Sequence, residues 1–160
     1  MSPFPLLWTL MEILLTAIRP RQWRVAEPAR QLVAAYLKVA SRATSASFHE
    51  FRSEAALWAS IDKRSGRSPA FVILADRTGR PLDSEHFAQE LAAIRDRGTQ
   101  QLVLAVGPAD GWSTTALQRA DLLLSLGPMT LPHELAAVIT AEQLYRATAI
   151  WSGHPYHRGH

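Results

Sequence analysis

Short unbroken apolar runs alternate along this chain with segments whose apolar residues recur every three or four positions. The first run, from Met11 or Glu12 to Ile18, reads as a buried strand. Residues 26–40 have helical composition, with Leu32, Ala35, Tyr36 and Val39 on one face, and the pattern ends near Ser41. Residues 45–51 alternate weakly as a short strand, and the stretch from Glu54 to Lys63 suits another helix. Ser65-Gly-Arg-Ser-Pro69 has loop composition, residues 71–75 form a compact apolar strand, and Asp76-Arg-Thr-Gly79 closes it with turn chemistry. Asp83 or Ser84 caps a helix that runs to Arg97, where Gly98 stops it. Residues 102–106 are a further strand, broken by Gly107-Pro-Ala-Asp-Gly111. A helix then starts at Ser113 or Thr114 and runs through Arg119. Residues 122–126 form the last strand, and Gly127-Pro128 turns the chain.

Strands alternating with helices imply an α/β layer fold with a mainly parallel sheet and helices on both faces. Ligands gather beyond the carboxyl ends of such strands, so a small-molecule site is expected where loops 75–79, 107–111 and 126–132 converge. No repeat, low-complexity tract or long linker divides the chain, and a single domain over residues 1–160 is expected, large enough to bury roughly 70% of its unfolded surface. Residues 1–10 read as an N-terminal extension. Residues 4–18 are mostly apolar but lack a basic leading region, carry Glu12 and are too short to span a bilayer, so no membrane partner is expected.

The absence of cysteine excludes a disulfide frame, a thiolate metal site and a thiol nucleophile. A formal charge of +3 permits an RNA partner without demanding one. Arg19, Arg21, Arg24 and Arg30 around Trp23 read either as a basic patch with a stacking aromatic or as a solvated loop leading into a helix. No Gly-x-Ser-x-Gly elbow or phosphate-cradling glycine loop is present. His133-Glu134 lacks the second histidine that a zinc helix requires, and no metal is expected.

The last thirty residues carry the densest chemistry. Thr130 and Pro132 read as a helix start, placing the chain from residue 131 onward in a helix. On a helical wheel Leu131, Leu135, Val138, Ile139, Tyr145 and Ala149 share one side, and Glu142 and Arg146 fall in the middle of it. Charge on an apolar stripe is costly unless it is paired or faces a subunit interface or an active site. After Gly153 the periodicity stops, and His154-Pro-Tyr-His-Arg158 mixes imidazoles with an aromatic, a proline and a cation, too varied for a purification tag.

Met129-Thr-Leu-Pro-His133, Glu142-Gln-Leu-Tyr-Arg146 and Gly153-His-Pro-Tyr-His-Arg158 stand in the order and at the spacing found at the ends of the ribosomal RNA large subunit methyltransferase H proteins. The chain resembles that family clearly from about residue 71 to residue 158. The family comprises small members of the SPOUT class of S-adenosylmethionine-dependent RNA methyltransferases. The resemblance implies a deep C-terminal trefoil knot, a cytoplasmic homodimer, S-adenosylmethionine as cofactor, and methylation at ring nitrogen N3 of a pseudouridine in 23S ribosomal RNA of the assembled ribosome. It carries cofactor contacts onto Ala75, Gly107, Leu126, Gly127, Pro128, Met129, Thr130 and Leu131. Catalytic roles fall on His154, Tyr156, Arg146 and His133, and RNA contacts on His157 and Arg158.

The proton on N3 must leave, and His154 and His133 both have suitable intrinsic chemistry to take it. Tyr156 can stack on or hydrogen-bond the extruded base, and Arg146 and Arg158 can hold phosphate. One subunit's tail is expected to complete the other's pocket. Ala75 stands where the family usually has a larger Leu, Pro108 replaces the second glycine of a pair, and Pro128 stands in the last loop. The first-strand turn is here Ala17-Ile-Arg-Pro-Arg21. Each proline removes a backbone donor. These departures support a second reading, an RNA- or ribosome-binding relative that has lost cofactor binding. A third, a small-molecule-binding domain without an RNA role, fits poorly with an exposed tail that no core needs.

Overall fold

The computed structural model describes residues 11–19, 27–64 and 68–158, with backbone alone at 157 and 158. The expected extension at 1–10, the cluster of Arg21, Trp23 and Arg24, and most of the 65–69 loop lie outside the described residues. Among the described residues five strands form one sheet in the order β2-β1-β4-β3-β5. They are β1 (Glu12–Ile18), β2 (Ser45–Phe51), β3 (Phe71–Pro81), β4 (Gln101–Val106) and β5 (Leu122–Ser125), and every pairing is parallel. The helices are α1 (Glu27–Ala40), α2 (Glu54–Arg64), α3 (Ser84–Asp96), α4 (Thr114–Arg119) and α5 (His133–Trp151), followed by a single 3-10 turn at Pro155–Arg158.

Strand composition follows burial. β1 and β4 lie inside the sheet with helices on both faces, so both consist of near-continuous apolar residues. One face carries Ile13, Leu15, Ile73, Leu102 and Leu104 against α1, α3 and α5. The other carries Ile18, Val72, Leu74 and Val103 against α2 and α4. Among the described residues β2 pairs only with β1, so its weak alternation is that of an edge strand. Glu50 near its end accepts hydrogen bonds from Arg19 at 2.9 Å and from Arg30 at 3.0 and 3.2 Å. Burial pushes the Glu50 carboxyl up, but the two guanidinium groups outweigh it and hold the net value below the usual range.

Four sequence expectations need correction. The strand expected to stop at residue 75 continues to Pro81, because residues 76–79 form a bulge rather than a chain turn. The β5 partner of Ala75 and of Arg80 is the same residue, Leu124. Asp76 folds the bulge by accepting from the Thr78 N–H at 2.9 Å and from the Thr78 hydroxyl. At Gly79 the bulge presses backbone on backbone, since a Cβ there would meet the Leu123 carbonyl carbon at 2.5 Å. The last strand ends at Ser125 rather than residue 126.

The last helix starts at His133, not at 131. Pro132 takes the N-cap position, and no side chain, Thr130 included, caps it. Finally, the buried face of two helices lies one residue round from the expected stripe. In α1 the buried residues are Ala29, Val33, Leu37 and Ala40, and Leu32 is 48% exposed. In α5 they include Ala136, Ala137, Thr140, Ala141, Leu144 and Ala147, and Leu135 is 51% exposed. Small side chains let α5 lie close against its neighbours, which is why the smaller residues won the inward face.

Candidate functional site

Beyond the carboxyl ends of β3 and β5 lies a cleft of about 340 Å³. Leu126 and Gly127 form one wall, the start of α3 at Asp83 and Ser84 a second, and Ile139 and Gln143 of α5 a third. Its place follows the rule for parallel sheets. The expected meeting of three loops is corrected, however: the extension of β3 replaces loop 75–79 with the turn at residues 81–84, and loop 107–111 does not line the cleft. Gly127 has φ +120, a backbone that favours glycine and lets the chain turn away without a side chain at the cleft mouth.

The residues matched to cofactor contacts therefore separate. Leu126 and Gly127 line the cleft, and Leu131 is half-buried against the main core. Pro128, Met129 and Thr130 are exposed, Met129 to 81%. Ala75 and Gly107 meet a different neighbour, Trp112. The Trp112 Nε1–H donates to the Ala75 carbonyl at 2.9 Å, and its indole lies where a Cβ on Gly107 would come within 2.7 Å. Gly107 thus makes room for a side chain of this same chain, and Trp112 occupies the space beside the small Ala75. Sequence reasoning missed Trp112; an indole five residues after a strand-end glycine was the available signal.

At the other end of α5 the tail folds back. Gly153, at φ +67, ends the helix, and the His154 N–H donates to the Ala149 carbonyl at 2.9 Å. The reversal lays the 3-10 turn along α5, so that the Tyr156 hydroxyl donates to Glu142 Oε1 at 3.0 Å. Arg146 reaches the same oxygen through Nη2 at 2.6 Å and Nε at 3.1 Å, and its guanidinium lies 5.0 Å from the Tyr156 ring centroid. The Tyr145 ring packs 4.3 Å from that of Tyr156. The expected Glu142–Arg146 pair is present, half-buried. Burial first, and then the hydrogen bond to Glu142, push the Tyr156 phenol up to about 12, so it remains a neutral hydrogen-bond donor at ordinary pH. The hydrogen bond to Glu142 likewise raises Arg146 from its ordinary value.

The two candidate histidines stand at opposite ends of α5. The helix has 19 residues and is about 28 Å long, with His133 at its first residue and His154 just past its last. His133 is buried, with Nε2 3.9 Å from Glu134 Oε1, beside a small void shared with Ala17, Arg30 and Phe48. His154 is exposed, and its Nδ1 accepts from the Tyr156 N–H at 3.2 Å. His157 and Arg158 belong to the 3-10 turn beside it. Sequence reasoning also missed Gln143 and Ser84 as site residues. Gln143 stood inside the matched Glu142-Gln-Leu-Tyr-Arg146 string, and Ser84 was noticed only as a possible cap. Among the described residues no cluster of three or more His, Asp or Glu side chains is placed to hold a metal, and no helix is long and apolar enough to cross a membrane.

A family model described as predicted SPOUT methyltransferase matches residues 11–157. The ribosomal RNA large subunit methyltransferase H of Koribacter versatilis is 46% identical over 129 residues, which cover 81% of this chain and 88% of the relative. The protein of that name from Rhizobium etli is 47% identical over 118 residues, covering 74% and 71%. Among solved structures, a probable methylase family protein from Haemophilus influenzae superposes with a TM-score of 0.58 at 11% identity, over 91% of this chain and 70% of that one. The SpoU methyltransferase AviRb from Streptomyces viridochromogenes, solved in complex with the cofactor AdoMet, gives a TM-score of 0.50 at 14% identity, over 89% and 61%. These two structures share the fold.

Proposed function

The chain belongs to the SPOUT methyltransferase family, and from that premise we propose that it is an S-adenosylmethionine-dependent methyltransferase of large-subunit ribosomal RNA. The finer reading is methylation at N3 of a pseudouridine in 23S ribosomal RNA on the assembled ribosome. It is carried out by a cytoplasmic homodimer whose single domain per subunit contains the family's trefoil knot. The observation that carries this reading is the joining of two things in one place. A ligand-sized cleft lies at the carboxyl ends of β3 and β5, and the matched tail is folded onto the helix that walls it.

The cleft suits the cofactor. Its volume lies in the range of small-ligand sites, with Leu126 and Ile139 as apolar wall for an adenine ring and Asp83, Ser84 and Gln143 as polar partners for sugar and amino-acid groups. S-adenosylmethionine, when bound, supplies an electrophilic sulfonium methyl. The protein's own contribution is placement: holding the target nitrogen in line accounts for much of the rate in such transfers. Tyr156, kept protonated with its hydrogen given to Glu142, stacks on the extruded base or accepts a hydrogen bond from it, and Arg146 and Arg158 hold phosphate. The N3 proton goes to His154 Nδ1, the one acceptor nitrogen of the neutral ring, directly or through water, and the Tyr156 N–H gives up that nitrogen as the proton arrives. His154 is exposed beside Tyr156, whereas His133 is buried at the far end of α5.

The exposed apolar residues support the homodimer. Leu32, Met129 and Leu135 are large, exposed side chains, and Leu135 lies on the side of α5 that the single chain covers only in part. The binding-only alternative rests on Ala75, Pro108 and Pro128. Ala75 is backed by Trp112 and Pro128 is exposed, so neither residue blocks the cleft.

The test is transfer of labelled methyl from S-adenosylmethionine to ribosomes that lack the modification, with the product nucleoside identified by mass. Label on N3 of a pseudouridine is expected from the unaltered protein and absent with His154→Ala, whose fold and dimer should persist. Retained activity in that variant would remove His154 from the reaction. No cofactor binding at millimolar concentration would return the binding-only reading.

A further inference from the structure

A continuous line of hydrogen bonds runs from the cleft to the tail. The Ser84 hydroxyl, at the start of α3, donates to Gln143 Oε1 at 2.6 Å. Gln143 Nε2 donates to Glu142 Oε2 at 2.8 Å. Glu142 Oε1 accepts from Tyr156 at 3.0 Å and from Arg146. Ser84 and Gln143 both line the cleft, while Tyr156 lies fourteen residues beyond Glu142 on the returning tail.

The line has a fixed polarity. An ionised carboxylate only accepts hydrogen bonds, so the Gln143 amide must turn its NH₂ toward Glu142, which leaves its oxygen for the Ser84 hydroxyl. Ser84 has no second proton to give. A ligand acceptor arriving at Ser84 must take that proton from Gln143, which loosens the amide, and the amide sets one of the two oxygens of the carboxylate that holds Tyr156. The groups involved are half-buried, where such charge-assisted bonds count for more than at an open surface.

We propose that Glu142 and Gln143 are positioning residues that couple filling of the Leu126 cleft to the setting of the Tyr156 phenol. The proposal deepens the methyltransferase reading and rests on it. Neither residue need touch the reacting atoms. Their work is to make the tail responsive to the cleft, so that the aromatic meets the target base in one orientation when the methyl donor is in place. The raised phenol value fits the same arrangement, because a phenol that stays protonated reports its carboxylate partner without becoming a competing anion.

The experiment uses the full-length protein with tyrosine ring-carbon NMR, the Tyr156 resonance being assigned with Tyr156→Phe. S-adenosylhomocysteine is the probe, and calorimetry follows its binding. Saturation should move the Tyr156 resonance of the unaltered protein. Gln143→Leu, of similar size, should bind the probe more weakly, since Gln143 lines the cleft, but at saturation should still lose most of that movement. Glu142→Gln should lower kcat about tenfold or more with cofactor KM changed less than about threefold, the split expected for a transition-state placement effect rather than for lost binding. A purely structural role would instead lower the thermal midpoint and leave the split and the resonance response intact, overturning the proposal. Binding of the probe without movement of Tyr156, or equal movement in Gln143→Leu, would sink the coupling alone. No binding to the unaltered protein would sink the methyltransferase reading and the coupling with it.

Discussion

The two long faces of α5 differ in how they use apolar residues. The inward face is built from Ala136, Ala137, Thr140, Ala141 and Ala147 around one Leu144, and it is fully covered. The outward side carries the larger Leu135, Ile139 and Tyr145 with the Glu142–Arg146 pair, and it is only partly covered. Size alone would have chosen the opposite assignment. Small residues bring the helix backbone close to the sheet and to α1, and what remains outside is too apolar for water alone. A helix with two non-polar faces in a single chain has two partners to satisfy, and the second is supplied by the tail and, in our reading, by the cleft ligand and another subunit.

Substitutions on the two faces should behave differently. The largest effect is expected inside. Ala141 is wholly buried, so Ala141→Phe should lose about 3 kcal/mol or more of stability by denaturant titration, since an overpacked site has nowhere to expand. Leu135→Phe, the same kind of change outside, should stay within about 0.5 kcal/mol. Next comes Leu135→Asp, expected to leave circular dichroism unchanged while converting dimer to monomer in sedimentation and reducing ribosome methylation about a hundredfold; at 1.4 kcal/mol per tenfold this is a loss of about 3 kcal/mol. A dimer of undiminished strength in that variant would mean the outward face is not the interface.

A smaller effect is expected from pH. The folded Tyr156 value, about 12, lies above the ordinary 10.0, so its contribution to stability is fully present below pH 10 and is lost as pH rises through about 12. The difference in spectrophotometric tyrosine titration between the unaltered protein and Tyr156→Phe should show that late ionisation, and Glu142→Gln should bring it earlier. The smallest effect lies away from α5 and serves as a control. Glu50 has a lowered folded value, so its contribution is present above the ordinary 4.5 and lost as pH falls through the folded value. Glu50→Gln should cost of order 1 kcal/mol at neutral pH and progressively less on acidification.

Much of the fold was legible because burial writes itself into composition. The buried runs of β1 and β4 are visible directly, and the caps are narrowed to a pair each, Asp83 or Ser84 and Ser113 or Thr114, of which the structure takes the first. The bulge after Ala75 was hidden because Asp76-Arg-Thr-Gly79 has the chemistry of a reversal, and only pairing with β5 keeps the chain going forward. The face of α5 was misjudged because periodicity weights large side chains, whereas close approach selects small ones. In the candidate site the Glu142–Arg146 pair followed from helical spacing alone. The Tyr156–Glu142 bond did not, since it depends on the positive φ of Gly153 and the direction of the returning tail. The line from Ser84 to Gln143 joins positions 59 apart, a distance over which no local pattern speaks.

The uninterrupted course of α5 makes it a phase-keeper as well as a wall. Each residue of an α-helix turns the chain by about 100°, so inserting or deleting one position between Gln143 and Gly153 would swing the returning tail to another side of the axis and carry Tyr156 away from Glu142. Point substitutions on the outward face can be graded, but a change of length there is all or nothing. The spacing between the Glu142-Gln-Leu-Tyr-Arg146 string and the tail is therefore as much a functional element as the residues it separates.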